Sequence, residues 1–363
     1  MKTIQVTSMD ETTFRILDTL SRELGRHISI NELTSKIAEQ YGSAYYANIY
    51  KKLSALNKEG IILTTRTGKS SIASLNFKNY LLIDLLTETE LKKKQEFIGS
   101  KPELQMLLLE IDTYCSDLPF TKSISLINPE RNAKLNRAEL LIILKSSEQK
   151  SEIQNTIFAM NKILLSLQSI HNIKIDYLIL TKEEFFNLLA SDETNPLKEM
   201  LSNQITFLSP QAFWSEIKSI LEKGMQIRFS EEETNPAKIS ESDSAYNLAG
   251  FGYKEIGPEI REGEKICIEY MITSILMKGD ARRREAIPII LAKNRANYSL
   301  LIFLAQKYGL LGKLLGLLKA LHKIKPMPEV HQAIRNLEAM NVKEIKADEK
   351  SIESKMRLYN AIR

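Results

Sequence analysis

The chain has 363 residues, 43% of them apolar and 26% charged, with a net charge of +5; two or three domains with buried cores are expected, and a disordered chain is excluded. Two distant cysteines, Cys115 and Cys267, and four scattered histidines, His27, His171, His322 and His331, form no disulfide framework, redox pair or zinc motif. No apolar run approaches the roughly 18 residues of a membrane span, and the first residues lack an apolar signal core, so a cytoplasmic location with no membrane partner is expected.

The first 80 residues carry a net +4, residues 264–363 carry +9, and the stretch between them carries −8. Basic ends around an acidic centre point to a polyanion met by the ends. In chain order, residues 11–24 place Phe14, Leu17, Leu20 and Leu24 on one helical stripe. Ser29 and Glu32 have capping-box spacing and open a second helix with Leu33 and Ile37 inward. Gly42-Ser43 breaks the chain before a third helix, where Ile49, Leu53 and Leu56 share a face flanked by Tyr45 and Tyr46. The opposite face carries Ala44, Ala47, Asn48 and Lys51, with Ser43 at its start and Lys52 and Lys58 towards its edge. Small residues beside Asn and Lys let a helix approach a groove and reach base edges or phosphates. Two short β-rich runs then flank Arg66-Thr67-Gly68-Lys69, a hairpin with a basic tip.

Three helices and a hairpin in this order, over roughly residues 9–80, resemble the winged helix-turn-helix family. The resemblance implies double-stranded DNA as partner. Ser43, Ala44, Ala47, Asn48, Lys51 and Lys52 would lie at the major groove, and Arg66 and Lys69 would meet backbone phosphate. Winged helices also dock proteins, and a homodimer stays open.

A connecting helix is expected over residues 81–100. An apolar helix follows, then the strand SISLI, the polar loop NPERNAKLNR, the strand AELLIILK, a helix near 151–170 and the strand KIDYLILT. Thr181 and Glu184 have capping-box spacing ahead of KEEFFNLLASD. The order is that of a mixed α/β layer.

Over about residues 101–220 this progression resembles the minimal nucleotidyltransferases of the polymerase-beta-like superfamily. The most specific part is Asp176 on a strand, Thr181 to Phe185, Asn195 to Met200, an apolar strand and Phe213-Trp214. The family implies a Gly-Ser turn that approaches nucleotide phosphates and three carboxylates that hold two magnesium ions. Here Asn128-Pro129 matches the Gly-Ser turn, Arg137 the first aspartate and Glu139 the second, while Asp176 stands unchanged at the third. Proline offers no N–H, and arginine is a cation where a metal would sit. The expectation is a catalytically inactive frame with no metal or cofactor. Arg137, Glu139 and Asp176 would form an internal salt bridge in place of the metals.

Residues 224–263 mix acidic residues, Ser, Pro and Gly without a period and read as a linker. From Glu264 the 3.6-residue apolar period predicts helices throughout, punctuated by Gly309, Gly312 and Pro326. Arg282, Arg283 and Arg284 stand at a helix start, where cations are unfavourable unless an anion sits nearby. They are a second candidate polyanion contact, with pairing to Glu285 or the acidic centre as the plain alternative. No Arg-x-x-x-x-His spacing surrounds His322 or His331, which disfavours the toxin-type RNase activity of some helical domains.

The expected architecture is α+β, multidomain and predominantly helical, of an archaeal type. It comprises a winged helix (1–80), a connecting helix (81–100), a degenerate nucleotidyltransferase-like domain (101–223), a linker (224–263) and an all-α domain (264–363). The expected function is non-catalytic DNA binding, as a transcription regulator or chromosome-associated factor, with the inactive frame as scaffold. Two alternatives stay open: an active nucleotidyltransferase acting on tRNA or protein through Glu139 and Asp176, and an RNA- or protein-binding scaffold.

Overall fold

The computed structural model describes residues 9–68, 70–225, 227–230, 233–254 and 260–362, without the side chains at 67, 103, 150, 281 and 282. The fold is α+β and mostly helical. In chain order its elements are α1 (Glu11–Arg22), β1 (Ile28–Ser29), α2 (Ile30–Tyr41), α3 (Tyr46–Lys58), β2 (Ile62–Thr67) and β3 (Ser70–Leu75). Next come α4 (Leu81–Ser100), α5 (Pro102–Ser116), β4 (Thr121–Ile127), α6 (Pro129–Lys134), β5 (Arg137–Leu144) and α7 (Lys150–His171). They are followed by β6 (Lys174–Thr181), α8 (Lys182–Ala190), α9 (Pro196–Met200), β7 (Gln204–Leu208), α10 (Pro210–Glu222) and α11 (Glu241–Gly250). The rest is helical: α12 (Ile268–Lys278), α13 (Ala281–Arg284), α14 (Ala286–Lys293), α15 (Tyr298–Lys307), α16 (Leu311–Ile324), α17 (Pro328–Ala339) and α18 (Glu349–Leu358). No described helix is long and apolar enough to cross a membrane.

The chain forms two compact units, each assembled from separate stretches. The first holds Met1–Met106, Lys122–Ala133 and Lys198–Glu232; the second holds Leu107–Thr121, Lys134–Leu197 and Glu233–Arg363.

In the first unit, Asp10 caps α1 by accepting from Thr13 N at 3.1 Å, and Ser29 caps α2 by accepting from Glu32 N at 3.1 Å. Phe14, Leu17, Leu20, Leu33, Ile37, Ile49, Leu53 and Leu56 are all buried, as their helical spacing predicts. β3 lies between β1 and β2 in an antiparallel sheet. Thr67 pairs with Ser70 across the hairpin, and Gly68 after β2 has a φ of +62°, which is cheap only for glycine. β4 pairs antiparallel with β7, and α4 packs on α1, α10 and β7.

A buried polar network runs along the α1–α4 contact. Asp18, fully buried, accepts from Tyr41 Oη at 2.6 Å and Gln40 Nε2 at 2.7 Å. Arg22 Nη2 and Lys93 Nζ lie 3.1 and 3.3 Å from the same carboxylate. Lys93 also meets Glu90 at 2.9 Å, and Glu90 accepts from Thr206 N at 2.6 Å, which ties the cluster to β7. Charges so buried persist only when paired and hydrogen-bonded.

In the second unit β5 and β6 pair in parallel, with Arg137 opposite Lys174 and Glu139 opposite Asp176. Both strands are buried almost throughout, which explains the continuous apolar runs LLIIL and YLIL. α7, α8 and α15 pack on β6. The capping box at α8 is complete: Thr181 Oγ1 accepts from Glu184 N at 3.2 Å, and Glu184 Oε2 accepts from Thr181 N at 2.8 Å. Thr181→Ala should lower the denaturant midpoint by the equivalent of about 1 kcal/mol with an unchanged m-value, and a loss of only a few tenths would mean the cap is dispensable.

Four expectations need correction. Tyr45 and Tyr46 do not flank the core stripe of α3: they are 72% and 48% exposed, because the stripe is buried only from Ile49 onward. The loop after β4 contains α6, which starts on Pro129 and is held by Asn132 Nδ2 donating to Ile127 O at 2.9 Å. The linker stretch contains α11, capped by Ser240 accepting from Asp243 N at 3.0 Å. Gly312 lies inside α16 rather than ending a helix, whereas Gly309, with φ +70°, follows the end of α15.

Candidate nucleic-acid interface and the closed carboxylate cluster

On α3, burying Ile49, Leu53 and Leu56 turns the opposite face to solvent. Ala47, Asn48 and Lys51 are exposed on it; the third helix was expected to begin at Ser43, but it begins at Tyr46, so exposed Ser43 and half-buried Ala44 precede it. Lys52 is diverted from this face: it is half-buried and paired with Asp10 at 2.8 Å. Arg66 is exposed on β2, opposite Ser71 of β3. Lys69 lies outside the described residues.

Three tyrosines add to this face. Tyr45 is the most exposed, and Tyr46 and Tyr50 stack with ring centroids 5.9 Å apart and planes 20° apart. Sequence reasoning assigned Tyr45 and Tyr46 to the core edge and passed over Tyr50. The spacing of 46 and 50, one helical turn, was the available signal. Arg15 braces the start of α3 through Nη1, 3.4 Å from Ser43 O, and lies over the Tyr41 ring at 5.1 Å.

Arg137, Glu139 and Asp176, expected from the sequence to form an internal salt bridge, lie in the second unit. Because β5 and β6 are parallel and in register, Arg137-x-Glu139 and Lys174-x-Asp176 set a row of cations beside a row of carboxylates on one face. Arg137 Nε donates to Asp176 Oδ2, and Arg137 Nη2 is 3.4 Å from Glu139. Lys174 Nζ lies 3.3 Å from Asp176 Oδ1. From the C-terminus of α15, Lys307 reaches Glu139 at 3.1 Å and Glu233 at 2.6 Å. The last carbonyls of α15 accept as well: Lys307 O from Arg137 Nη2 and Gln306 O from Lys174 Nζ, both at 3.3 Å. Cations at a helix C-terminus are favourably placed.

Arg137, Lys174 and Lys307 thus face Glu139, Asp176 and Glu233 in a charge-balanced cluster. Asp176 is fully buried and Glu139 is 2% exposed. Two-metal phosphoryl transfer needs carboxylates that can turn lone pairs to metal ions and to an incoming triphosphate. Both carboxylates are instead engaged by cations and shielded from water. Among the described residues no group of three or more His, Cys, Asp or Glu is arranged to hold a metal.

The expected salt bridge among Arg137, Glu139 and Asp176 is present. Lys174, Lys307 and Glu233 were not anticipated. The repeated cation-x-carboxylate pattern could have revealed Lys174; nothing local could have revealed the other two. Asn128, matched to the phosphate-binding turn, lies in the first unit, where its N–H donates to Asn203 O at 2.8 Å.

The arginine triplet divides. Arg283 pairs with Glu241 at 2.6 Å, while Glu285 is taken by Lys355. The side chain of Arg282 lies outside the described residues, and Arg284 Nε is buried with no hydrogen-bond partner among them.

Searches against family models, curated proteins and solved structures return no match to this chain.

Proposed function

We propose that the chain is a non-catalytic double-stranded DNA-binding protein, acting as a transcription regulator or chromosome-associated factor. The observation that carries the reading is the solvent-facing surface of α3. Ala47, Asn48 and Lys51 stand on one side of a helix whose other side is pinned in the core. The small side chain of Ala47, with Ser43 just before the helix, would let α3 approach a groove; Asn48 would read a base edge, and Lys51 and Arg66 would meet phosphate. This unit supplies a winged helix-turn-helix reader, and the second unit serves as scaffold. The cation-filled carboxylate cluster supports the non-catalytic part of the reading. Labelled-nucleotide incorporation by the purified chain, abolished in Asp176→Ala, would overturn that part.

Fluorescence anisotropy with duplex DNA across a salt series tests the binding. Log affinity should fall linearly with log salt, at about −0.9 per phosphate contact neutralised. Lys51→Glu should weaken binding by about tenfold or more, whereas Lys346→Glu should change it little. No retention of duplex at low salt would sink the proposal.

The exposed Tyr46–Tyr50 stack favours a second reading, in which the same face holds unpaired bases of RNA by stacking. Alanine replacement of a stacking aromatic costs about 1–3 kcal/mol per base. Tighter binding to single-stranded RNA than to duplex DNA, lost in Tyr50→Ala, would select this reading.

A further inference from the structure

A small cavity in the second unit gathers cations around space that no carboxylate claims. It has a volume of about 170 Å³ and lies between the ends of α12 and α13, one side of α16, and the extended chain that leads into α18. Arg284, Lys313 and Lys346 line it, with Leu276, Leu317 and Ile352 as apolar wall.

Two glycines build the wall. A Cβ at Gly316 would lie 1.9 Å from the carbonyl oxygen of Ile345, and one at Gly312 would lie 2.5 Å from that of Lys343. Only glycine at both positions lets the 343–347 segment run against α16, where Ile345 N donates to Gly312 O at 3.0 Å. That close approach places Lys346 on the rim of the cavity.

The charges do not close on themselves. Arg284 Nε is buried and has no hydrogen-bond partner, and among the described residues no carboxylate pairs with its guanidinium. Lys346 is exposed and likewise unpaired among the described residues. Among the described residues Lys313 donates only to Leu276 O, at 3.4 Å. Two carboxylates also line the space, but both are engaged. Glu285 accepts from Ser351 and pairs with Lys355, and Asp348 caps α18 by accepting from Ser351 N at 3.1 Å. By contrast, Arg283 next door is satisfied by Glu241. A buried guanidinium donor without an acceptor is costly to leave unmade.

We infer that this cavity binds a small phosphate-bearing anion, with Arg284 and Lys346 as its charged ligands and the leucine–isoleucine wall against any organic tail. Guanidinium and ammonium groups converging on a partly apolar cavity suit a phosphoryl group, whose oxygens accept several charge-assisted bonds. The volume equals that of about five or six waters. It admits inorganic phosphate or a compact phosphomonoester. It is well below the roughly 300 Å³ at which pockets for larger ligands begin, which argues against a nucleotide. A half-open cavity of this size also suits a discrete anion better than the continuous backbone of a nucleic acid.

Isothermal titration of the full-length chain with inorganic phosphate and with phenyl phosphate, at fixed ionic strength in chloride, tests the inference. Saturable one-to-one binding is expected. Arg284→Gln should weaken it by about tenfold or more, Lys346→Ala should weaken it to a smaller extent, and Lys51→Glu should leave it unchanged. Should Arg284→Gln fail to fold by circular dichroism, the exposed Lys346→Ala decides the matter alone. Preference for phenyl phosphate identifies an organic phosphomonoester, and equal affinity identifies free phosphate. The inference is overturned if the wild type shows no saturable binding, or if the folded variants bind as tightly as wild type. Duplex DNA retained through Arg284 but not displaced by either phosphate would overturn it too, in favour of a polyanion surface.

Discussion

Arg137→Met should lower the free energy of unfolding by about 3–5 kcal/mol, the range found when one member of a buried ion pair is removed. Among the described residues Arg137 is the one side chain that touches both Asp176 and Glu139, and its Nη2 also donates to Lys307 O at the C-terminus of α15. Without it, Asp176 keeps only Lys174, whose side chain is 48% exposed, and Glu139 keeps only Lys307. Two carboxylates would then share less compensation in a site that excludes water. Removing both sides together should cost much less, because an apolar pair of similar size can replace a buried ion pair at little loss. Arg137→Met with Asp176→Leu should therefore recover much of the stability, a coupling a double-mutant cycle measures by denaturant unfolding. A single-mutant loss below about 1 kcal/mol would show that water or another cation reaches the cluster, and the description of it as closed would fail.

Asp18→Ala should be comparably severe in the first unit, at about 3–5 kcal/mol, since it strands Lys93 and half of Arg22. Lys93 is only 7% exposed, and would be left with Glu90 as its remaining carboxylate. The effect should also depend on pH. Burial alone would raise the Asp18 carboxyl, but Lys93 and Arg22, with the Tyr41 hydroxyl, outweigh burial and hold it well below its ordinary 3.8. A group whose folded pKa is depressed contributes stability that is complete above its unfolded pKa and lost as pH falls through the folded one. Wild type should therefore lose stability on acidification below about pH 4 more steeply than Asp18→Asn, which has no such proton to bind. The single tryptophan, Trp214, is buried in the same unit and reports the transition by fluorescence. Parallel acid profiles for the two proteins would refute the assignment of this charge to Asp18.

Both clusters show where local reading stops. The stripe Phe14, Leu17, Leu20 marks one side of α1 as core by periodicity alone, and all three residues are buried. Asp18 is not part of that apolar stripe, and the period gives no partner for its charge. It is buried because α4, more than 60 residues later in the chain, covers the other side and brings Lys93 with it. No window of sequence contains both partners. The α3 surface divides in the same way. Its apolar stripe was legible, but the exposure of Tyr45 and Tyr46 depends on how far the core extends along the helix. The withdrawal of Lys52 depends on Asp10, which stands before α1.

What the sequence alone determined was local: the positions of most helices and strands, and the caps at Ser29 and Thr181. These follow from spacing, propensity and chemistry within a few residues. Tertiary structure alone decided which distant charges meet. It set Lys307 beside Glu139, placed Lys93 under Asp18, and left Arg284 Nε without an acceptor among the described residues, beside Arg283, which has one. The physical reason is that burial makes an unpaired charge expensive, and whether a charge is buried and paired depends on elements far away in the chain.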